Sequence, residues 1–491
     1  MGFRTRFLAR LGLQQIPRRQ QKRGYAGAMI SRLTNDWLSS QASADAEIRT
    51  SLRKLRDRSR EMVRNNPYAK QAKRTTQINV VGSGIKLQSQ VQQVRTRKPN
   101  EQANRLIEEK WNAWCRAKHC DVAGRHSFHM MEWLAVGALP ESGEALFRII
   151  RRPFGGSRVP LALEMLEADV LDEEHQGPTL ARENEWRMGV EVNKWGRPVR
   201  YAFLTRHPGD YWFQAAPERE GKHMFLPAED VIHLFLPERP KQHRGVPWFH
   251  PVMADAHQLQ GYEEAAVIRA RAAASIMGFV TSPEGELDGD AVDADRRISE
   301  FEPGMFRYLG PGEGVTVPDI GSPDQQFEMF VRNKVRRFAS GFGCSYETLS
   351  RDFSDTNYSS SRLSLLEDRE HWKVIQSYMI EHFHMRVFRE WLDLAVLSGE
   401  LPFEDYYLRP ERYDTPRWMA RAWDWVDPLK EAKAYREMEQ AGYMTKSQIV
   451  AKLGGDFNDN LTQIAQEQQT AASLNVELDR DITKSPMEAV E

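Results

Sequence analysis

Pro323-Asp-Gln-Gln-Phe-Glu-Met-Phe-Val-Arg-Asn-Lys-Val-Arg-Arg-Phe-Ala-Ser-Gly-Phe342 is the stretch that decides the fold. Its apolar residues fall at Phe327, Phe330, Val331, Val335, Phe338, Ala339 and Phe342, the 3, 4, 4, 3 spacing of a buried helical stripe. Arg332, Asn333, Arg336 and Arg337 take the opposite face. Gly341 and Gly343 are expected to stop the helix. Residues 344–358, Cys-Ser-Tyr-Glu-Thr-Leu-Ser-Arg-Asp-Phe-Ser-Asp-Thr-Asn-Tyr, have no apolar period and read as an irregular loop. Ser359, Ser360 and Ser361 then offer N-caps for a second helix. No Pro or Gly interrupts it before Leu397, and it carries Trp372, Tyr378, Phe383, Phe388 and Trp391. At about 1.5 Å per residue it would run roughly 55 Å. The pattern predicts a rigid helical support that holds a loop out into something.

Composition limits what that could be. A chain of 491 residues predicts roughly three units at about 150 residues each. Lys plus Arg (68) balances Asp plus Glu (69), so any contact with nucleic acid must be local. Three cysteines make no disulfide framework and fit a reducing compartment. The first ten residues lack the apolar core of a signal peptide, and no apolar run reaches the length of a membrane span. A soluble intracellular chain is expected.

Working outward, residues 1–28 are basic and contain no acid, which predicts a solvated tail or an arm. Asp45 to Lys73 reads as helix, interrupted at Asn65-Asn66-Pro67 with Pro67 opening a second one. Ile78 to Gln88 reads as strand, glycine turn, strand. Helices are expected over Glu101–Ala117 and over Phe128–Leu139, the latter ended by Pro140. Strands are expected at 145–150, 161–166, 187–192, 199–204 and 231–235, giving a mainly β region of mixed pairing. Pro247 to Gly278 reads as an Ala-rich helix (Ala265, Ala266, Ala270) suited to close packing. Residues 283–322 read as a small α/β insertion after a short strand at 279–281, with a hairpin between 305–309 and 314–317. An aromatic stretch over 403–425 is expected to pack back on the first domain. Three helices follow, the second opened by the capping box Thr445-Lys-Ser-Gln448, and 475–491 reads as a tail.

Catalytic and nucleotide motifs are missing: no G-x-x-x-x-G-K-[ST], H-E-x-x-H, G-x-S-x-G or paired C-x-x-C occurs. Cys115, His119, Cys120, His126 and His129 lack zinc spacing and read as ordinary side chains at a helix end. Glu164, Glu167, Asp169, Asp172, Glu173 and Glu174 read as a solvated acidic turn. Asp352, Ser354, Asp355 and Asn357 make half a calcium loop without its glycine or closing Glu. His382 and His384, two apart on a helix, each read as a single polar contact. A non-enzymatic protein with no cofactor and no metal is expected.

Several stretches together resemble the portal (head–tail connector) proteins of tailed bacteriophages, lambda type. They are Arg56-Asp-Arg-Ser-Arg60 with Arg64-Asn-Asn-Pro-Tyr-Ala69, Val80-Val-Gly-Ser-Gly-Ile85, Glu141-Ser-Gly-Glu144, Arg244-Gly-Val-Pro247, Pro311-Gly-Glu313, and Phe342-Gly-Cys-Ser-Tyr-Glu347 through Asn357-Tyr-Ser-Ser-Ser-Arg362. The resemblance covers roughly 30–470 and implies an α+β portal fold that forms rings. By segment it implies a basic tail (1–28), a mixed α/β wing (29–246), a first stem helix (247–277), a clip (278–322) and a second stem helix (323–343). A tunnel loop (344–358), a long helix with the rest of the wing (359–427), a helical crown (428–474) and a C-terminal tail (475–491) complete it.

The implied function is a ring of twelve at one capsid vertex of the virion, assembled in the host cytoplasm. It would pass double-stranded DNA in packaging and ejection. Implied partners are the terminase large subunit, the major capsid and scaffold proteins and the head–tail adaptors, with no membrane. The DNA-facing residues would be Glu347, Arg351, Asp352, Phe353, Ser354, Asp355, Thr356, Asn357 and Tyr358. The stem set would be Ala265, Ala266, Ala270, Arg332, Arg336 and Arg337. Pro283, Glu284, Glu286, Asp288, Arg296 and Arg297 of the clip would face terminase and adaptors. The alternatives are a DNA-processing enzyme, or a capsid or tail structural protein without a channel.

Overall fold

The computed structural model describes residues 41–94, 98–210, 222–274, 279–281, 314–316, 325–354, 357–423, 428–453 and 455–474. Met1–Ser43 form a separate unit, of which 41–43 are described, without regular structure. All the described helices and strands belong to the unit beginning at Ala44.

It opens with α1 (Ala44–Arg49), α2 (Leu52–Asn65) and α3 (Pro67–Val80). The break between α2 and α3 is the predicted one: Pro67 is at the first helical position, and the Asn66 side chain caps Tyr68 N and Ala69 N. Ile78 to Val80, expected as strand, is instead the last turn of α3. Val80 and Val81 are fully buried, so core burial outweighs their β-branched preference. Gly82 (φ 57°) and Gly84 (φ 101°) then turn the chain into β1 (Lys86–Ser89).

Next come α4 (Glu101–Trp114), α5 (Ala117–Cys120) and α6 (Phe128–Ser142). Pro140 does not end α6. Its missing N–H removes one bond, while Leu139 is buried and Gly143, left-handed at φ 87°, closes the helix by donating to the Leu139 carbonyl.

Two antiparallel sheets follow. The first orders β3 (Ala162–Leu166), β2 (Ala145–Ile150) and β8 (Val231–Leu234). The second orders β4 (Glu185–Arg187), β5 (Val190–Val192), β6 (Pro198–Leu204) and β7 (His223–Pro227). All of these pairings are antiparallel, so the mixed pairing expected is not found among these strands. The strand predicted over 187–192 is a hairpin. Met188 (φ 47°) and Gly189 (φ 86°) both take left-handed backbone, the requirement of a two-residue turn. Strand β7 lies in a stretch whose sequence pattern predicts none.

Helix α7 runs Met253–Ala274, six residues later than expected. Pro247 and Pro251 disfavour helix in the residues before them, so 247–252 forms successive turns, with Val252 N donating to Phe249 O. β9 (Phe279–Thr281) pairs with β10 (Gly314–Thr316). The predicted partner of β10, 305–309, lies outside the described residues. Then come α8 (Gln325–Phe342), α9 (Tyr346–Ser350), α10 (Tyr358–Met379), a π-turn (Ile380–His384) and α11 (Met385–Leu397). β11 (Pro416–Met419) returns to pair with β1. Last are α12 (Pro428–Gln440), α13 (Lys446–Lys452) with its capping box complete, and α14 (Phe457–Ser473).

The main core joins α4, α6, the first sheet, α10 and α11 through Trp111, Trp114, Phe128, Phe147, Phe383, Phe388 and Trp391. Trp418 of β11 seals it, 5.7 Å from Trp111 ring to ring, as the aromatic content of 403–425 led one to expect. A second core packs α7 on α8 through Phe249, Val252, Leu259, Val335, Phe338 and Phe342, against Met62 and Ala69.

A buried ion cluster ties α2 to the start of β2 and to the segment ahead of α7. Glu144 accepts from Arg56 (2.6 Å), Arg244 (2.7 Å), His233 (2.9 Å) and Gly245 N (2.9 Å). The remaining Arg244 donors go to the carbonyls of Leu171, Met188 and Ala168, so this buried charge is fully hydrogen-bonded. Burial pushes the Glu144 carboxyl up, but Arg244, Arg56 and His233 outweigh it and hold it well below the usual carboxylate range.

Candidate functional site

The segment between α8 and α10 is where the sequence placed the functional loop. Gly341 does not stop α8. It lies inside the helix, where a Cβ would overlap Val252, so its role is close approach to the 249–252 turn. Gly343, left-handed at φ 90°, is the terminator, with its N–H donated to Ala339 O.

The predicted loop is partly helical. Ser345 caps α9 by accepting from Thr348 N, and Leu349 is buried in the second core. Helix α9 has five residues, too few to persist alone, so tertiary contacts must hold it. Asp368 of α10 supplies them. Only 5% exposed, it accepts from Ser345 N (2.8 Å), Ser345 Oγ (2.7 Å) and Thr348 Oγ1 (2.6 Å). Arg351 ends α9 with a left-handed φ of 61° and sets its guanidinium against the Gln71 side-chain amide, 2.9 Å away.

Asp352 accepts from Ser354 Oγ (2.6 Å), Ser354 N (3.1 Å) and Tyr346 OH (2.9 Å), and lies 3.5 Å from Arg332. The Ser354 hydroxyl, then its N–H and Tyr346, hold the Asp352 carboxyl down at about 2. Glu347 is half-buried and Phe353 exposed. Asn357, not a serine of 359–361, caps α10, accepting from Ser360 N at 2.9 Å. Its side chain reaches three residues on, which the serine run concealed. Tyr358 begins α10. Asp355 and Thr356 lie outside the described residues.

Of the predicted stem residues, Arg332 also pairs with Glu328 (3.3 Å), Arg336 lies over the Tyr346 ring (5.4 Å) and Arg337 pairs with Asp255 of α7 (2.9 Å). Two of these arginines therefore sit against the loop, and Arg332 offsets Asp352, which the count of acids within 344–358 could not reveal. Ala265 is exposed while Ala266 and Ala270 are half-buried. Pro283, Glu284, Glu286, Asp288, Arg296 and Arg297 lie outside the described residues. Asp368 was missed. One acid among Glu367, Asp368 and Glu370 gives no signal in sequence, since its partners lie about twenty residues upstream.

Elsewhere, Cys120 donates to the carbonyls of Cys115 and His126, and burial pushes its thiol up to about 12. His384 Nε2 meets Glu132 Oε1 at 2.5 Å and Nδ1 meets Met379 O at 2.9 Å. The acidic turn is not merely solvated: Arg60 pairs with Asp169, and Arg53 with Glu173 at 3.4 Å. Arginines along α2 draw those carboxylates in. Among the described residues no helix is long and apolar enough to cross a membrane.

The model of the family "Phage portal protein, lambda family" matches residues 31–376, which include α7, α8 and the loop. The chain belongs to the lambda family of phage portal proteins. This portal chain is 32% identical over 457 residues to a probable portal protein of Halomonas phage phiHAP-1, covering 91% of this chain and 86% of the relative. It is 24% identical to the portal protein of Escherichia phage N15 (89% and 88% covered) and 23% identical to portal protein B of Escherichia phage lambda (92% and 89%). Among solved structures it is similar to a chain of the neck of an empty gene transfer agent particle. There the TM-score is 0.44 and the identity 12%, over 86% of this chain and 98% of that one. Its family is that of the head–tail connectors, a structural rather than catalytic class.

Proposed function

We propose that this portal chain forms a ring of twelve at one capsid vertex, whose central channel passes double-stranded DNA during packaging and ejection. The observation that carries this reading is the family match over 31–376, which takes in both long helices and the loop between them. In this reading α7 and α8 are the stem, 278–322 the clip, 344–358 the tunnel loop, 428–474 the crown, and the rest the wing. The clip meets the terminase large subunit first and the head–tail adaptors later. Capsid and scaffold proteins surround the wing.

The subunit interface is heterologous, because only unlike faces close a ring of this kind. Tyr262, Val267 and Ile268 on α7 and Met329 and Phe330 on α8 are exposed in the single chain, which suits stem helices that pack against neighbours. A channel must guide DNA without gripping it, since each lasting phosphate contact adds to the hold. The loop meets that requirement, because Asp352 stays ionised and Arg332 and Arg351 are engaged within the subunit.

Asp352→Lys combined with Asp355→Lys should slow DNA packaging while leaving ring assembly, seen by negative-stain imaging, intact. Unchanged packaging would remove the loop from the DNA path, and rings without a hole wide enough for a duplex would remove the channel.

A further inference from the structure

We propose that Asp172, His175 and His223 form a binding site for one zinc ion that fastens the turn after β3 to strand β7. The three residues offer one ligand atom each, all within 4.8 Å of one another. They come from two places, a turn and a strand. Asp172-Glu-Glu-His175 is a single turn, with His175 N donating to Asp172 O at 3.3 Å and Glu174 N to Asp172 Oδ1 at 3.1 Å. The turn is tied to the second sheet by Asp172 N donating to Ala202 O at 3.0 Å. His223 opens β7, opposite Leu204 of β6, and its Nε2 meets Asp172 Oδ2 at 2.7 Å.

The donor set selects the ion. Two imidazoles and one carboxylate suit zinc, whereas calcium and magnesium want oxygen throughout. Metal–ligand bonds of about 2.0–2.1 Å in tetrahedral geometry place ligand atoms roughly 3.4 Å apart. Half-buried side chains reach that spacing from 4.8 Å by small rotations, with water in the fourth position.

Aromatic rings line the site. His175 stands edge-on to Trp186 (4.5 Å), His223 (4.7 Å) and Phe225 (5.3 Å). Two cations are close, Arg200 and Lys222. Arg200 is bound to Glu191 and to Pro178 O, and lies over the Trp186 and Phe225 rings, so its charge is already countered. Glu173 and Glu174 add negative charge on the same turn. Binding costs one weak contact, Gly177 N to His175 Nε2 at 3.3 Å, and displaces the proton shared by Asp172 and His223. A second group, Glu167, Asp169 and His207, is a poor rival, because the Arg60 guanidinium already occupies Asp169.

Full-length protein stripped with EDTA and titrated with zinc chloride by calorimetry is expected to take up one ion per chain and to melt at a higher temperature. His175→Ala and His223→Ala should each weaken uptake at least about tenfold, and His207→Ala should leave it unchanged. Calcium should bring no such rise. Cobalt(II) on the unaltered protein should give the intense visible bands of a four-coordinate site, a readout that needs no variant to fold. Absence of saturable zinc uptake, pale octahedral cobalt spectra, or uptake that survives the double His175→Ala/His223→Ala variant would each overturn the site.

Discussion

Glu144 carries the charge on which three distant segments converge. Arg56 is 88 residues before it and Arg244 is 100 after it, yet both guanidinia meet its carboxylate with no water access. Removing that charge strands two buried arginines, so Glu144→Gln should lower stability by about 3–5 kcal/mol in urea unfolding. Its depressed carboxyl also fixes a pH dependence. The stabilisation is complete above the unfolded value near 4.3 and is lost as pH falls through the lower folded value, so acid should unfold the wild type more steeply than the variant. The motifs Arg56-Asp-Arg-Ser-Arg60, Glu141-Ser-Gly-Glu144 and Arg244-Gly-Val-Pro247 were all visible in the sequence. Their meeting point was not, because no local spacing relates residues so far apart. The glycines explain part of the pattern: a Cβ on Gly245 would overlap the Gly143 backbone, so the two segments can cross only there.

Among the elements, α9 shows how far periodicity reaches. Helix α8 was legible because its apolar stripe runs through several turns, and α10–α11 because no Pro or Gly breaks a long aromatic-bearing run. Five residues cannot display a period, and Leu349 alone did not announce a buried face. Helix α9 exists because Asp368 gathers Ser345 and Thr348. Asp368→Ala takes the acceptor from three half-buried donors, at a cost of about 1–3 kcal/mol. The expected readout is faster amide hydrogen exchange at 345–351 with little change in the main core. Unchanged exchange there would mean that Leu349 packing suffices. Likewise the late start of α7 was readable in Pro251, whose bias falls on its own neighbour, while the helical course of 78–80 was hidden by its β-branched residues.

For the molecule as a whole, the C-terminal helices stand apart from the rest. Neither α13 nor α14 buries a residue, and Leu429, Tyr443, Leu461 and Leu474 are exposed. A surface ion pair, Arg362–Glu431 (3.5 Å), and a half-buried hydrogen bond, Gln88–Asp456, join this part to the body. Contacts of that kind contribute about 0–1 kcal/mol each. A chain ending at residue 427 should therefore melt within about 4 °C of the full chain, while light scattering shows fewer large assemblies. A large drop in melting temperature would mean that these helices are integral to the single subunit. The π-turn at Ile380–His384 has a different reach. Each residue of an α-helix advances the face by about 100°, so the residue count between Asp368 and His384 sets the bearing of Asp368 toward Ser345, while the far end stays locked among Trp111, Phe388 and Trp391. Dropping one residue between Asp368 and Met379 would swing the clamp roughly a quarter turn out of reach. Insertions and deletions can thus accumulate ahead of Asn357, whereas the rod behind Asp368 tolerates them only in steps near seven, where two full turns restore the original aspect.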